Sequence, residues 1–195
     1  MIINKTPIAD VAIIELEERG DNRGFFARTF DIAEFEAAGL SPAVEQCNLS
    51  YNYAKGTLRG MHFQIAPHPE AKLVRCIRGA ILDVIVDMRP ESPTRLQHVA
   101  VELSATNRKA FYVPPYFAHA YLTLTDDAEV TYQVSGSYAP QAERGLRWND
   151  PALGIEWPVD VEVISDKDAS WPLLTEDEIA GRPSDRFPSL AEAHA

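Results

Sequence analysis

The chain has 195 residues, 46% of them hydrophobic, with 18 Lys and Arg against 29 Asp and Glu and a formal net charge of -11. Such a length buries a core without disulfide staples, and such acidity argues against nucleic acid and anionic membranes as partners, because both reward a basic surface. Cys47 and Cys76 follow no CxxC or Cys/His spacing, the start lacks a basic segment ahead of an apolar run, and no stretch reaches membrane-spanning length, so the expectation is a cytoplasmic, reduced protein with no membrane partner.

In chain order, the first clear element is residues 31–39, DIAEFEAAG. A capping Asp31, Glu34 three places on and a terminating Gly39 specify a short helix. After it, short β-branched and aromatic runs alternate with turn clusters, the spacing of a sandwich or barrel. Residues 55–64, KGTLRGMHFQ, read as a strand in which Arg59 and His62 fall on opposite faces, unless a bulge at Gly60 turns both to one cavity. In 72–78, Lys72 shares its parity with Val74 and Cys76; an inward charge needs a reason. Further strands are expected at 80–88, 98–103, 110–113 and 127–135. In the last, Ala128, Val130, Tyr132 and Val134 share the inner face. Pro114 and Pro115 mark a turn, with a strand starting around His119. Trp157 and Trp171 are expected to be packing anchors. Residues 1–175 read as one domain and 176–195 as a loosely attached tail.

The chemistry concentrates in the middle of the chain. Between Lys55 and Arg78 five basic residues face a single acid, Glu70, a local patch suited to a phosphorylated small molecule. Proton abstraction next to a carbonyl needs a base, a cation at the developing enolate oxygen and an acid; His62, Lys72 and Tyr132 are the right types. A core tyrosine bonded to backbone is the other reading of Tyr132. Asp83, Asp87 and Asp168 are all candidates to orient the histidine, and periodicity does not rank them. His62, Glu70 and His119 resemble the scattered ligands of metal-binding cupins, but Gln64 stands where their second histidine would be, which argues against a catalytic transition metal. No Ser/His/Asp signature and no glycine-rich phosphate or dinucleotide loop is present.

Twelve strings in order resemble the nucleotide-sugar 3,5-epimerases that act on dTDP-4-dehydro-6-deoxyglucose: DNRGFF (21–26), QCNLS (46–50), KGTLRGMHFQ (55–64), KLV (72–74), DVIVDMR (83–89), SPT (92–94), FAH (117–119), Tyr132, YAP (138–140), WNDP (148–151), IEWP (155–158) and SDKD (165–168). The resemblance implies an all-β, cupin-type jelly roll working with no metal and no cofactor. The expected partners are a nucleotide-diphosphate deoxysugar and a second copy, in a homodimer that exchanges N-terminal strands. His62 would be the base oriented by Asp168, Tyr132 the opposing acid, and Lys72 the group near the enolate oxygen. Arg23, Phe26, Gln46, Asn48, Arg59, His119, Tyr138 and Glu143 match substrate-holding positions.

Three departures stand out. Arg28 occupies a place where the family usually has an acid, YFAHAY (116–121) is bulkier than the usual GFAHGF, and residues 67–72 differ from the commonest text. The alternatives are a single-centre epimerase or ketoisomerase on a dTDP- or CDP-linked sugar, and a sugar-nucleotide binding protein without turnover.

Overall fold

Runs with alternating side chains become strands whose inward residues meet across two sheets. The computed structural model describes residues 1–187. β1 (Ile2–Lys5) and β2 (Ala12–Glu15) pair antiparallel and are followed by an exposed hairpin, β3 (Arg19–Asp21) and β4 (Gly24–Phe26). Helix α1 (Ile32–Ala37) comes next; Asp31 accepts the Glu34 N–H at 3.1 Å, and Gly39 takes φ +77°. Then follow β5 (Gln46–Asn52), β6 (Thr57–Gln64), β7 (Lys72–Arg78), β8 (Ala80–Asp87), β9 (His98–Ser104), β10 (Ala110–Val113), β11 (Phe117–Thr123), β12 (Ala128–Val134), β13 (Glu143–Gly145) and β14 (Val163–Ile164). Two short helices, α2 (Asp166–Ala169) and α3 (Glu176–Ile179), lie near the end.

One sheet has the order β1-β2-β10-β7-β12-β5 and the other β13-β6-β11-β8-β9, with β14 parallel to β6. This is the expected cupin-type jelly roll. β11 begins at Phe117 rather than around His119, because Phe117 already pairs with Asp87 of β8 and its ring is buried beneath the Arg89 guanidinium. No helix among the described residues is long and apolar enough to cross a membrane.

The parity expected for β7 and β12 sets the central core. Val74, Cys76, Ala128 and Val130 meet Ile81, Ile85, Phe117 and Tyr121 between the sheets, and Tyr132 packs at the edge of this cluster. The outward positions are covered separately. Phe35 and Leu40 close over Ile14, Leu73 and Tyr112 on one sheet, while Met61, Phe63, Val84 and Val86 on the other are covered by Leu146, Leu153, Leu174 and Phe187. Trp157 packs against this second cluster, and its indole N–H donates to the Trp148 carbonyl at 3.1 Å.

Within the expected tail, residues 176–187 fold back on the domain. Thr175 and Glu178 form a reciprocal cap on α3, Phe187 stacks on Phe63 with ring centroids 5.9 Å apart, and Arg186 donates to the Gly145 carbonyl at 3.2 Å. The rest of the expected tail, residues 188–195, lies outside the described residues.

Candidate active site

Gly60 creates the site by breaking the alternation of β6. At φ +119° it adopts a backbone that side-chain-bearing residues rarely take, and an added Cβ would sit 2.5 Å from the His119 carbonyl oxygen and 2.6 Å from the Ala120 Cβ. Pairing with β11 slips at this point: His119 is opposite His62, whereas Tyr121 is opposite Arg59. The slip turns Arg59 and His62 into one cavity, as the bulge reading expects.

That cavity lies between the sheets and has two adjoining parts of about 530 and 300 Å³. The larger is lined by Arg59, His62, Lys72, His119, Tyr121, Tyr132, Lys167 and Asp168, among others. The smaller shares His62, Lys72 and Tyr132 and adds Gln46, Asn48, Glu70, Tyr138 and Glu143. The combined space suits a sugar with a charged substituent, as polar groups converge on a largely preformed concavity.

The three aspartates that periodicity leaves unranked separate cleanly. Asp168, in α2, meets His62 Nε2 through Oδ1 at 2.6 Å, while its Oδ2 accepts the Gly60 N–H at 3.1 Å. Burial works against its charge, but hydrogen bonds from His62 and Gly60 outweigh burial and hold the carboxyl below the usual range. With Nε2–H donating a hydrogen bond to the Asp168 carboxylate, Nδ1 is the ring nitrogen that keeps a lone pair. Asp83 instead meets His119 Nε2 at 2.9 Å, and its Oδ2 is buried with no hydrogen-bond partner among the described residues. Asp87 serves structure alone: Arg89, Ser92 and Thr94 all donate to it.

Lys72 is inward, as parity expects, and the reason is Glu70, whose carboxylate lies 3.1 Å from the ammonium. Tyr132 lines both parts of the cavity. Burial raises its phenol above the ordinary tyrosine value, Arg59 opposes this, and Glu70 adds to it. Arg59 is itself held by Asn52 Oδ1, which accepts from Nε at 2.8 Å. Glu143 accepts from the Tyr138 hydroxyl at 2.9 Å and from Lys167 Nζ at 2.6 Å. Burial disfavours the Glu143 carboxylate, but these donors bring it below the usual range.

Two expected substrate contacts lie elsewhere. Arg23 and Phe26, on the β3–β4 hairpin, line neither part of this cavity; Arg23 pairs with Asp21, with its side chain 85% exposed, and Phe26 is 66% exposed. Arg28 is paired with Asp31 at 2.6 Å and is likewise outside the cavity. Sequence reasoning missed Lys167 as a lining residue, whereas Tyr121 belongs to the bulkier 116–121 string and does line the cavity. Lys167 precedes Asp168 in the SDKD string, which was the available signal; the Tyr121 hydroxyl bonds Ser50 at 2.7 Å across the sheets. Among the described residues no three His, Cys, Asp or Glu side chains are placed to hold a metal, so His62, Glu70 and His119 form no ligand set.

A jelly roll with a polar cavity between its sheets, lined by an imidazole–carboxylate pair and by a phenol, defines a cupin-class protein with the residue types of acid–base chemistry. The family described as dTDP-4-dehydrorhamnose 3,5-epimerase matches residues 5–176. The Shigella flexneri dTDP-4-dehydrorhamnose 3,5-epimerase is 44% identical over 169 residues, covering 86% of this chain and 93% of that protein. The Legionella pneumophila dTDP-6-deoxy-D-glucose-3,5-epimerase, solved with dTDP-4-keto-L-rhamnose, superposes with a TM-score of 0.83 at 36% identity, over 96% of this chain and 97% of that one. ChmJ, a 3'-monoepimerase from Streptomyces bikiniensis solved with dTDP-quinovose, gives 0.84 at 35% identity, over 98% and 94%. The chain belongs to the dTDP-4-dehydrorhamnose 3,5-epimerase family.

Proposed function

We propose that the protein is a cofactor-independent isomerase that inverts C3 and C5 of dTDP-4-dehydro-6-deoxyglucose. The observation that carries this reading is the 2.6 Å His62–Asp168 contact in a cavity also lined by Tyr132 and Lys72. The substrate's C4 ketone is the electron sink. His62 Nδ1 takes the proton from the neighbouring carbon, the C–H electron pair moves onto the C4 oxygen as an enolate, and the Lys72 ammonium stabilises that charge. Tyr132 returns a proton to the opposite face, inverting the centre; its phenolate then recovers a proton from solvent and the His62 imidazolium releases one to it. Asp168 holds the His62 tautomer and the imidazolium that forms. Arg59, His119, Gln46, Asn48, Tyr138 and Glu143 seat the nucleotide sugar.

Arg23 and Phe26 fit this scheme in a homodimer, where the exposed hairpin completes the cavity of a second copy. β1, which pairs with β2 at one edge of its sheet, is the strand that pairing with a partner would extend. The dimer is expected at twice 21.7 kDa by analytical ultracentrifugation. We place the enzyme in the cytoplasm.

The deciding experiment is incubation with dTDP- and CDP-linked 4-keto-6-deoxyglucose in heavy water, read by NMR. Deuterium entering both C3 and C5 of the dTDP sugar with inversion supports the reading. Exchange at one carbon makes it a single-centre epimerase, and binding without exchange makes it a sugar-nucleotide binder.

A further inference from the structure

Glu70 ends the turn between β6 and β7, in the stretch that departs from the family's commonest text. Its carboxylate meets Lys72 at 3.1 Å, and the two side chains are only 11% and 14% exposed. Gln64 braces it from behind: Nε2 donates to Glu70 Oε2 at 3.3 Å and to the carbonyls of His68 and Ser137, while Oε1 accepts the Ala139 N–H at 2.6 Å. Glu70 thus belongs to a fixed wall, shared with His62, Lys72 and Tyr132.

A neutral acceptor would satisfy Gln64 equally well, so bracing a loop does not account for a nearly enclosed charge. A lysine ammonium rides on a flexible four-carbon stem, and a carboxylate beside it restricts where it points. We propose that Glu70 is a positioning residue of this site: it holds the Lys72 ammonium against the cavity wall and sets the charge that Tyr132 faces. The inference rests on the proposed proton transfers by His62 and Tyr132. The charged and titratable groups that line the cavity with Tyr132 come from every side: Arg59 and His62 from β6, Lys72 from β7, His119 and Tyr121 from β11, Glu143 from β13, Lys167 and Asp168 from α2, and Glu70 and Tyr138 from the connecting turns. Of these, Arg59 eases ionisation of the phenol and Glu70 resists it.

Glu70→Gln keeps the shape and an acceptor for Gln64 while deleting the charge. Tyrosine labelled with carbon-13 at Cζ is titrated by NMR in the wild type and in Glu70→Gln, with the Tyr132 signal assigned by its loss in Tyr132→Phe. The expected result is ionisation of Tyr132 at lower pH in Glu70→Gln, and a parallel shift of the alkaline limb of the kcat profile. With Lys72 no longer held, kcat falls about tenfold while KM stays within about twofold, since the enolate cation is needed mainly in the transition state. A folded Glu70→Gln protein whose Tyr132 titration or kcat matches wild type overturns the proposal. If the wild type catalyses no exchange, the epimerase reading fails, and the substrate-free titration still decides whether Glu70 acts on Tyr132.

Discussion

His62 and His119 are register partners on neighbouring strands, yet each imidazole turns to a different carboxylate, Asp168 at 2.6 Å and Asp83 at 2.9 Å. Asp168 arrives from a helix 106 residues further along the chain, whereas Asp83 comes from the adjacent β8. Two similar pairs can therefore have separate duties. The pair to which we assign proton abstraction is the one whose carboxylate also grips the Gly60 backbone and so the geometry of the bulge.

Asp168→Asn tests that division. An amide presents an NH2 group or a neutral oxygen to Nε2, so the tautomer with a free Nδ1 lone pair loses its support. kcat should fall by about 10²- to 10⁴-fold, as for other oriented histidines, with KM little changed. Steady-state kinetics on the dTDP-linked 4-keto sugar checks this; a loss confined to KM would contradict it.

Tyr132→Phe should separate exchange from inversion. His62 should still remove the proton, exchange it with solvent and return a deuteron to the same face, so deuterium continues to enter while net inversion drops sharply. NMR in heavy water reads both at once, and undiminished inversion would put the acid elsewhere.

Gly60→Ala should disrupt both fold and site. A methyl group 2.5 Å from the His119 carbonyl, on a backbone at φ +119°, cannot be accommodated without parting β6 from β11. Strain and overpacking together are expected to cost about 3 kcal/mol or more. Denaturant unfolding gives the value, and a midpoint equal to wild type would show that the bulge tolerates a side chain.

Acid should weaken the fold through its buried carboxylates. Burial opposes the charge of Asp87 and of Asp168, but donors from Arg89, Ser92 and Thr94 on the first, and from His62 and Gly60 on the second, leave both carboxyls lower than in the unfolded chain. A folded value below the unfolded one stabilises above the unfolded pKa, about 3.9, and that stability is lost as pH falls through the folded value. Asp87→Asn leaves the Arg89 guanidinium without its fully buried partner and is expected to cost about 3–5 kcal/mol at neutral pH. The variant should also show a shallower decline below about pH 4. Unfolding free energy measured against pH tests both.

Much of this was legible in the letters because it is local. Strand alternation put Lys72 and Tyr132 inward, the Asp31, Glu34 and Gly39 spacing marked the helix, and Gly60 between Arg59 and His62 pointed to a bulge. Those signals depend on neighbours a few residues apart, which a single chain displays directly. Tertiary structure alone decided which aspartate meets His62, that Glu70 answers Lys72, that Lys167 crosses to Glu143, and that the β3–β4 hairpin stands outside its own cavity. It also folded residues 176–187 onto Phe63 and Gly145. The physical reason is range: periodicity says which face a side chain takes, whereas its partner is set by sheet order and register, which bring distant segments together only once the core has packed.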